Sequence, residues 1–333
     1  MGIKIIAELA QGFEGKPEQA RLLMRAAANS GADAAKYQLV YADELATPDY
    51  KYYDLFKSLE MADTVWIGLA DYAVELNIEL HLDVFGFKSL NLAEQIGVKT
   101  IKLHGTDISN IGLLNLVSQS SIPNILLGAG GAHASELKTA LEILQNKQVC
   151  VFAGFQGYPT PTDSNQICRV VIYSQTLKKI HPNIIMGFAD HADPESQLSY
   201  ALPAVALGAG ATVFEKHLTL GKSMKLEDYE AALNPDEFSD FSRILKNCHE
   251  AFGVSQESED YSMSASEIGY RKMIRRHVVT ATDVDKDVAL EPSDIVLKRT
   301  SSENFITDVN AVYEKVTNKF IPRNSAITSL DIN

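Results

Sequence analysis

Residues 208–219 read GAGATVFEKHLT, and their reading decides the fold. A glycine suited to the left-handed end of a helix leads into a short apolar run. Glu215 and His217 stand inside that run, not beyond it. The same arrangement recurs at 31–39 (GADAAKYQL) and 97–105 (GVKTIKLHG), with Lys36 and Lys102 in the corresponding places. Working outward, eight such runs occur, at 3–10, 33–39, 79–85, 100–105, 124–128, 149–155, 184–190 and 212–219. Most are nearly continuous in apolar character, as expected of parallel strands covered on both faces. Helical patterns fill the gaps: Pro17 suits a first helical position, and Asn234 with Glu237 suits a capping box. Eight strands alternating with helices over 1–253 predict an α/β fold, a (β/α)8 TIM barrel. A doubly wound open sheet is the runner-up, but AELAQGFEG (7–15) lacks the glycine-rich phosphate turn that it needs.

Glu8, Lys36, Asp83, Lys102, Asp190, Glu215 and His217 all fall within or at the ends of the runs. A buried charge requires a partner or a ligand. Several at one end of a barrel describe an active site, because that face carries the chemistry. His191, in GFADHAD, and His217, in VFEKHLT, end adjacent strands, so both imidazoles can reach one divalent cation. Lys36 and Lys102 suit a phosphate or carboxylate, a Schiff base, or structural pairing with Glu8 and Asp107. ILLGAGGAH (125–133) offers backbone N–H groups to a phosphate or only tight packing, and FQGYPTPTDSNQ (155–166) holds Gln156 and Tyr158 toward the mouth. The tyrosine-rich segment 39–64 is either a lid or interface, or a packed excursion.

The 333 residues carry 43 acidic and 30 basic side chains, a formal charge of −13. That excess disfavours nucleic acid and anionic membrane as partners. Three cysteines without a CxxC pair, and the lack of a signal-type opening or a long apolar stretch, lead us to expect a cytoplasmic protein. Beyond 253 the texture changes. A polar, acidic linker over 254–273 precedes a small β-rich domain over 274–333, with runs at 277–282 and 294–298.

In this order, IAELAQGFEG, AAKYQ, KLHGTDISN, ILLGAGG, YPTP, GFADH, AVALGAGATVFEKHLTL and AALNP resemble the sialic acid synthase (N-acetylneuraminate synthase) family along nearly the whole chain. DVDKDVALEPSDIVLKR (283–299) resembles that family's antifreeze-like (SAF) domain. The resemblance implies condensation of phosphoenolpyruvate with an N-acylated amino-sugar aldehyde such as N-acetylmannosamine, with Mn²⁺ or Mg²⁺, by a domain-swapped homodimer. It implies metal ligation by His191 and His217, donor binding by Lys36 and Lys102, and sugar contacts from Glu8, Tyr158 and Asp228. Catalytic roles fall to Glu8, Lys102 and Asp107, the last standing where the family has a glutamate. Gln156 and Glu215 complete the substrate site, and Arg299 reaches the partner subunit's sugar site. Departures from the family pattern are Gln11-Gly12-Phe13 for its Asn-His segment, Gly105 and Ala189 for serines, Gly128-Ala129-Gly130 for Ser-Thr-Gly, and Lys225-Leu226-Glu227 for Pro-Gly-Pro. A Schiff-base pyruvate aldolase on the same barrel and a non-catalytic sugar-binding relative are the competing expectations.

Overall fold

In the computed structural model, which describes residues 2–154, 157–253, 263–302 and 304–333, alternation along the strands explains their uniformly apolar sequence. Strand β1 (Lys4–Ala10) sends Ile5, Ala7 and Leu9 outward against helices and turns Ile6 and Glu8 inward. The pattern repeats through β2 (Ala34–Gln38), β3 (Glu79–Asp83), β4 (Thr100–Leu103), β5 (Asn124–Gly128), β6 (Gln148–Ala153), β7 (Ile185–Asp190) and β8 (Val213–His217). Neighbours pair in chain order and in parallel, and β8 closes on β1 with Glu8 beside His217. The closed eight-stranded barrel with helices between its strands is the TIM barrel expected from the apolar runs.

Two cores result. The large outer one lies between strands and helices. A small inner cluster inside the barrel joins Ile6, Ala34, Leu126, Cys150, Phe152, Ala189 and Val213. Glu8, Lys36, Lys102 and Glu215 lie two residues further along their strands than Ile6, Ala34, Thr100 and Val213. Because the strand period is two, they share the inner face and form its next layer.

Local sequence accounts for the covering helices. The helix Pro17–Asn29 has proline in its first turn, buries Ala20, Leu23, Met24 and Ala27, and is followed by Gly31 at φ +79°. The helix Pro235–Phe252 opens on a capping box in which the Asn234 N–H donates to Glu237 Oε2 at 2.8 Å. The segment 39–64 folds into short helices, Ala42–Leu45 and Tyr53–Leu59, tied back by Tyr53 Oη to Asp43 at 2.6 Å and Ala42 N–H to Glu60 at 2.9 Å. Gly15, at φ +68°, lets the loop after β1 touch this segment: a Cβ there would collide with the Ser58 carbonyl oxygen.

The chain divides into two compact units, 1–254 and 255–333. In the second, β9 (His277–Thr280) runs antiparallel to β10 (Ile295–Lys298), and Val278, Val284, Leu290, Val312, Ile321 and Ile327 form a separate core. The stretch read from composition as a linker over 254–273 is helical in its described second half. The helix Ala265–Ile274 is capped by Ser264 and Glu267. Among the described residues no helix is long and apolar enough to cross a membrane.

Phe13, one of the departures from the family pattern, is fully buried away from the mouth, edge-on to Tyr37 at 6.0 Å and Trp66 at 5.6 Å. Phe13→Ala should lower unfolding free energy by about 3–5 kcal/mol in urea titrations, since it opens a cavity among aromatic rings. Phe13→His should also be destabilising, because the smaller, polar ring gives up apolar contact with Tyr37 and Trp66. A melting temperature unchanged by the histidine would contradict this packing.

Candidate active site

The inner layer of the barrel is a network of charges almost sealed from water. Lys36 is wholly buried and its Nζ lies 2.6 Å from Asp83 Oδ1 and 3.6 Å from Glu215 Oε2, with Glu8 as a third partner. Across the barrel Lys102 pairs with Glu215 and lies over the Phe152 ring at 5.4 Å. Glu8 also accepts the N–H of Ala10 at 2.8 Å, which fixes the carboxyl at the end of its strand. Burial pushes the Glu8 pKa up to about 8. Lys36 opposes this rise, and Glu215 and Asp83 reinforce it. Burial would lower Lys36, yet Asp83, Glu215 and Glu8 raise it well above its usual range. Burial would raise Glu215, yet Lys102 and Lys36 hold it below the usual carboxylate range. Near neutral pH Glu8 is therefore an acid holding its proton, and two ammonium groups face the carboxylates of Asp83 and Glu215.

Beside this layer the two histidines meet, with ring centroids 5.1 Å apart. His217 ends β8, and His191 follows β7. The His191 carbonyl accepts the Thr160 N–H at 2.8 Å, so the YPTP loop is fastened to the end of β7. This places the Tyr158 ring edge-on to both imidazoles, at 5.3 and 5.7 Å. Burial lowers the His191 pKa to about 3, and burial with the neighbouring His191 puts His217 well below its usual value. Both rings are neutral at pH 7, with lone pairs available for coordination. Buried His191 Nδ1 has no hydrogen-bond partner among the described residues. Among those residues no third His, Cys, Asp or Glu joins the pair as a ligand set. The donor set thus suits a divalent transition ion that takes its remaining ligands from water or substrate oxygen.

Toward solvent, Tyr158 and Asp228 line a cavity of about 230 Å³ with Gln11, Gln38 and His104. Gln11 Nε2 donates to Gln38 Oε1 at 2.7 Å, bridging the ends of β1 and β2. Burial raises Asp228 to about 6, with Glu227 and Glu230 adding to the effect, and burial raises Tyr158.

Glu8, Lys36, Lys102 and Glu215 thus converge, and His191, His217, Tyr158 and Asp228 lie around them. Other residues fall elsewhere. Asp107 sits in a single 3-10 turn after β4, bonded to Thr106 Oγ1 at 3.3 Å, and is not the partner of Lys102; that partner is Glu215. Asp190 does not face the inner layer with Glu215. Its Oδ2 pairs with buried Lys216 at 3.0 Å, and its Oδ1 accepts the Ala192 N–H at 2.9 Å. Arg299 lies in the second unit, where its Nε donates to the Ile274 carbonyl at 3.2 Å. Gln156 lies outside the described residues. Gly105, read as a lost serine, has a structural cause: a Cβ there would collide with the Gly130 carbonyl oxygen. Sequence reasoning missed the Asp190–Lys216 strut and the Gln11–Gln38 bridge. Strand parity was the available signal for the strut, since Lys216 alternates with Glu215 and His217.

The barrel and its inward layer of charges define an enzyme of the (β/α)8 class, with its chemistry at the C-terminal ends of the strands. The chain belongs to the NeuB family, which matches residues 23–257. It is 24% identical to an N,N'-diacetyllegionaminic acid synthase of Legionella pneumophila, over 89% of this chain and 85% of that one. It is 26% identical to the human N-acetylneuraminate-9-phosphate synthase, over 75% and 71%. Among solved structures, the N-acetylneuraminic acid (sialic acid) synthetase of Leptospira borgpetersenii, crystallised with citrate, superposes with a TM-score of 0.72 at 25% identity, covering 82% of this chain and 93% of that one.

The protonation of Glu8 is open to measurement. An ordinary glutamate ionises near 4.5, and Glu8 in the fold near 8. The unfolded chain therefore gains by ionising first, and the fold loses this contribution as pH rises between those values. Glu8→Gln removes the titration. Its melting temperature should climb relative to the parent's from about pH 5 to about pH 8 and then run parallel to it. A difference independent of pH would contradict a buried acid.

Proposed function

We propose that this enzyme is a metal-dependent nonulosonate synthase. It condenses phosphoenolpyruvate with an N-acylated amino-sugar aldehyde, N-acetylmannosamine or a related hexosamine, and releases phosphate. The observation that carries the reading is the meeting of two neutral imidazoles, 5.1 Å apart, beside a buried layer containing two ammonium groups. The general activity, a synthase that condenses phosphoenolpyruvate, accords with the relatives. The acceptor and the metal are part of the proposal.

In this reading Lys36 and Lys102 hold the carboxylate and phosphate of the donor, exchanging part of their contact with Asp83 and Glu215 for the substrate. His191 and His217 hold Mn²⁺ or Mg²⁺, with imidazole favouring the former. The bound cation supplies Lewis acidity at the aldehyde oxygen. Donor C3 attacks the aldehyde carbon, and Glu8 is placed to give its proton to the oxygen that becomes the new hydroxyl. Water then adds at donor C2 and ionised Glu8 takes one of its protons; the tetrahedral hemiketal collapses to the ketone as its C2–O bond to phosphate breaks, and the remaining hydroxyl proton leaves with the phosphate. Tyr158 and Asp228 orient the acceptor above the imidazoles, and Gln156 adds a polar contact. Asp107, half-exposed on its turn, is assigned a proton-transfer role at the mouth.

The second unit, read as an SAF domain, serves a domain-swapped homodimer in which Arg299 reaches the partner's sugar site. Three free cysteines accord with a reducing, cytoplasmic setting. A Schiff-base aldolase fits less well. Lys36 is held charged by its carboxylate neighbours, and an attacking amine must be neutral. A sugar-binding relative without catalysis has no need of the protonated Glu8.

Phosphate release from phosphoenolpyruvate, Mn²⁺ and a panel of N-acylated hexosamines tests the reading. Turnover with at least one acceptor is expected. None with any, while an established synthase works alongside, would reject it. His191→Ala and His217→Ala should each abolish metal-stimulated turnover by a factor of at least about 100 while keeping the far-UV circular dichroism of the parent. Undiminished stimulation by Mn²⁺ in either variant would remove the histidines from the metal site.

A further inference from the structure

The barrel has a second mouth, at the N-terminal ends of its strands, and that mouth is hollow. An outer cavity of about 480 Å³ is lined by β3, the approach to β4 and the helix Asp63–Glu75. An inner one of about 260 Å³ lies among the strand starts. Lys4, His81, Thr100 and Asn124 line both. The outer volume alone falls within the range of small-molecule sites. His81, Thr100 and Asn124 stand two residues before Asp83, Lys102 and Leu126 on their strands, so strand parity puts them in a further inward layer below the charged one.

His81 is the centre of this layer and is only 1% exposed. Its Nε2 lies 2.9 Å from Glu79 Oε2, and Lys4 Nζ reaches Glu79 Oε1 at 2.7 Å. The hydrogen bond from His81, aided by Lys4, holds Glu79 down to about 2, and burial lowers His81. A neutral ring that meets a carboxylate through Nε2 donates from that nitrogen, which leaves Nδ1 with a bare lone pair. Buried Nδ1 has no partner among the described residues. Such an acceptor calls for a hydroxyl or N–H donor.

The charges select among donors. Of the side chains lining the two cavities, Lys4 and Lys99 are basic and Glu79 is acidic. Lys4 is taken by Glu79, and nearby Asp33 accepts the Ile5 N–H at 2.7 Å. Exposed Lys99 forms no ion pair among the described residues, so one ammonium group is left over at the rim. Val74, Ile78 and Ile96 give the outer cavity an apolar wall, and Leu126, Cys150 and Val213 give one to the inner cavity.

We infer that the N-terminal mouth is a second ligand site and that it takes a small hydroxylated carboxylate. The carboxylate meets Lys99, a hydroxyl donates to His81 Nδ1, and the carbon skeleton lies on the apolar wall with Thr100 and Asn124 at its edge. A second carboxylate on the ligand would have only Glu79 beside it, so a single negative charge fits best. The site lies apart from the imidazoles and the charged layer, and the inference stands independently of the synthase reading.

The test is calorimetry on the full chain with gluconate and N-acetylneuraminate as the probes, with and without phosphoenolpyruvate and Mn²⁺. At least one probe should bind with a Kd below about 10 mM, and glucitol, which lacks the carboxylate, should bind at least about tenfold more weakly than gluconate does. Phosphoenolpyruvate should not displace the bound probe. Lys99→Glu and Asn124→Asp add negative charge to this mouth, and one or both should weaken binding by about tenfold. His217→Ala, at the other mouth, should leave it unchanged. No binding of either probe, displacement by phosphoenolpyruvate, or binding that neither folded variant weakens overturns the inference, and none of these outcomes bears on turnover. In crystals soaked with a bound probe, its density is expected against His81; water alone at Nδ1 overturns the placement.

Discussion

Two ammonium groups and three carboxyls lie inside a barrel whose other inward side chains are mostly aliphatic or aromatic, and the strand ends close around them because the charges answer one another. Removing one partner from such a set leaves an uncompensated charge in a poorly solvated place, which costs several kcal/mol. Burial keeps the proton on Glu8, and the facing carboxylates keep Lys36 charged. A layer that is closely neutral yet rich in movable partners suits an anionic substrate, because a ligand carboxylate can replace a protein carboxylate without stranding the ammonium group.

The imidazole pair depends on that layer and on the parity of the strands. Glu215 and His217 share the inner face of β8, so the charge that holds Lys102 and the ring that meets His191 come from one strand. Asp190 and Lys216 fall on the other face and bind each other at 3.0 Å, tying the ends of β7 and β8 together. Close backbone approach does similar work across the same rim, where Gly105 has no room for a side chain against the Gly130 carbonyl between the ends of β4 and β5.

Much of this was legible in the amino-acid sequence, because it depends on local pattern. Parallel strands buried on both faces give continuous apolar runs, and Glu8, Lys36, Lys102, Glu215 and His217 interrupt those runs at similar depths. What was not legible depends on closure of the barrel. Lys102 finds Glu215 on the strand opposite, 113 residues away, whereas the nearby Asp107 turns onto a surface loop. Phe13 shows the same limit. It stands among the departures from the family's Asn-His segment, but the turn after β1 sends it into the aromatic core with Tyr37 and Trp66. The Gln11–Gln38 bridge joins residues whose proximity follows from the pairing of β1 with β2, and neither residue type signals a site alone.

The central claim is spatial: one pocket holds both a cation and an anionic three-carbon donor, the first on His191 and His217, the second on Lys36 and Lys102. Anomalous diffraction at the manganese edge, from crystals grown with Mn²⁺ and phosphoenolpyruvate, addresses it most directly. The account predicts a manganese peak bonded to both imidazoles, with donor density against the two lysines in the same barrel mouth. Manganese bound away from the histidine pair, or donor density outside the charged layer, would contradict it.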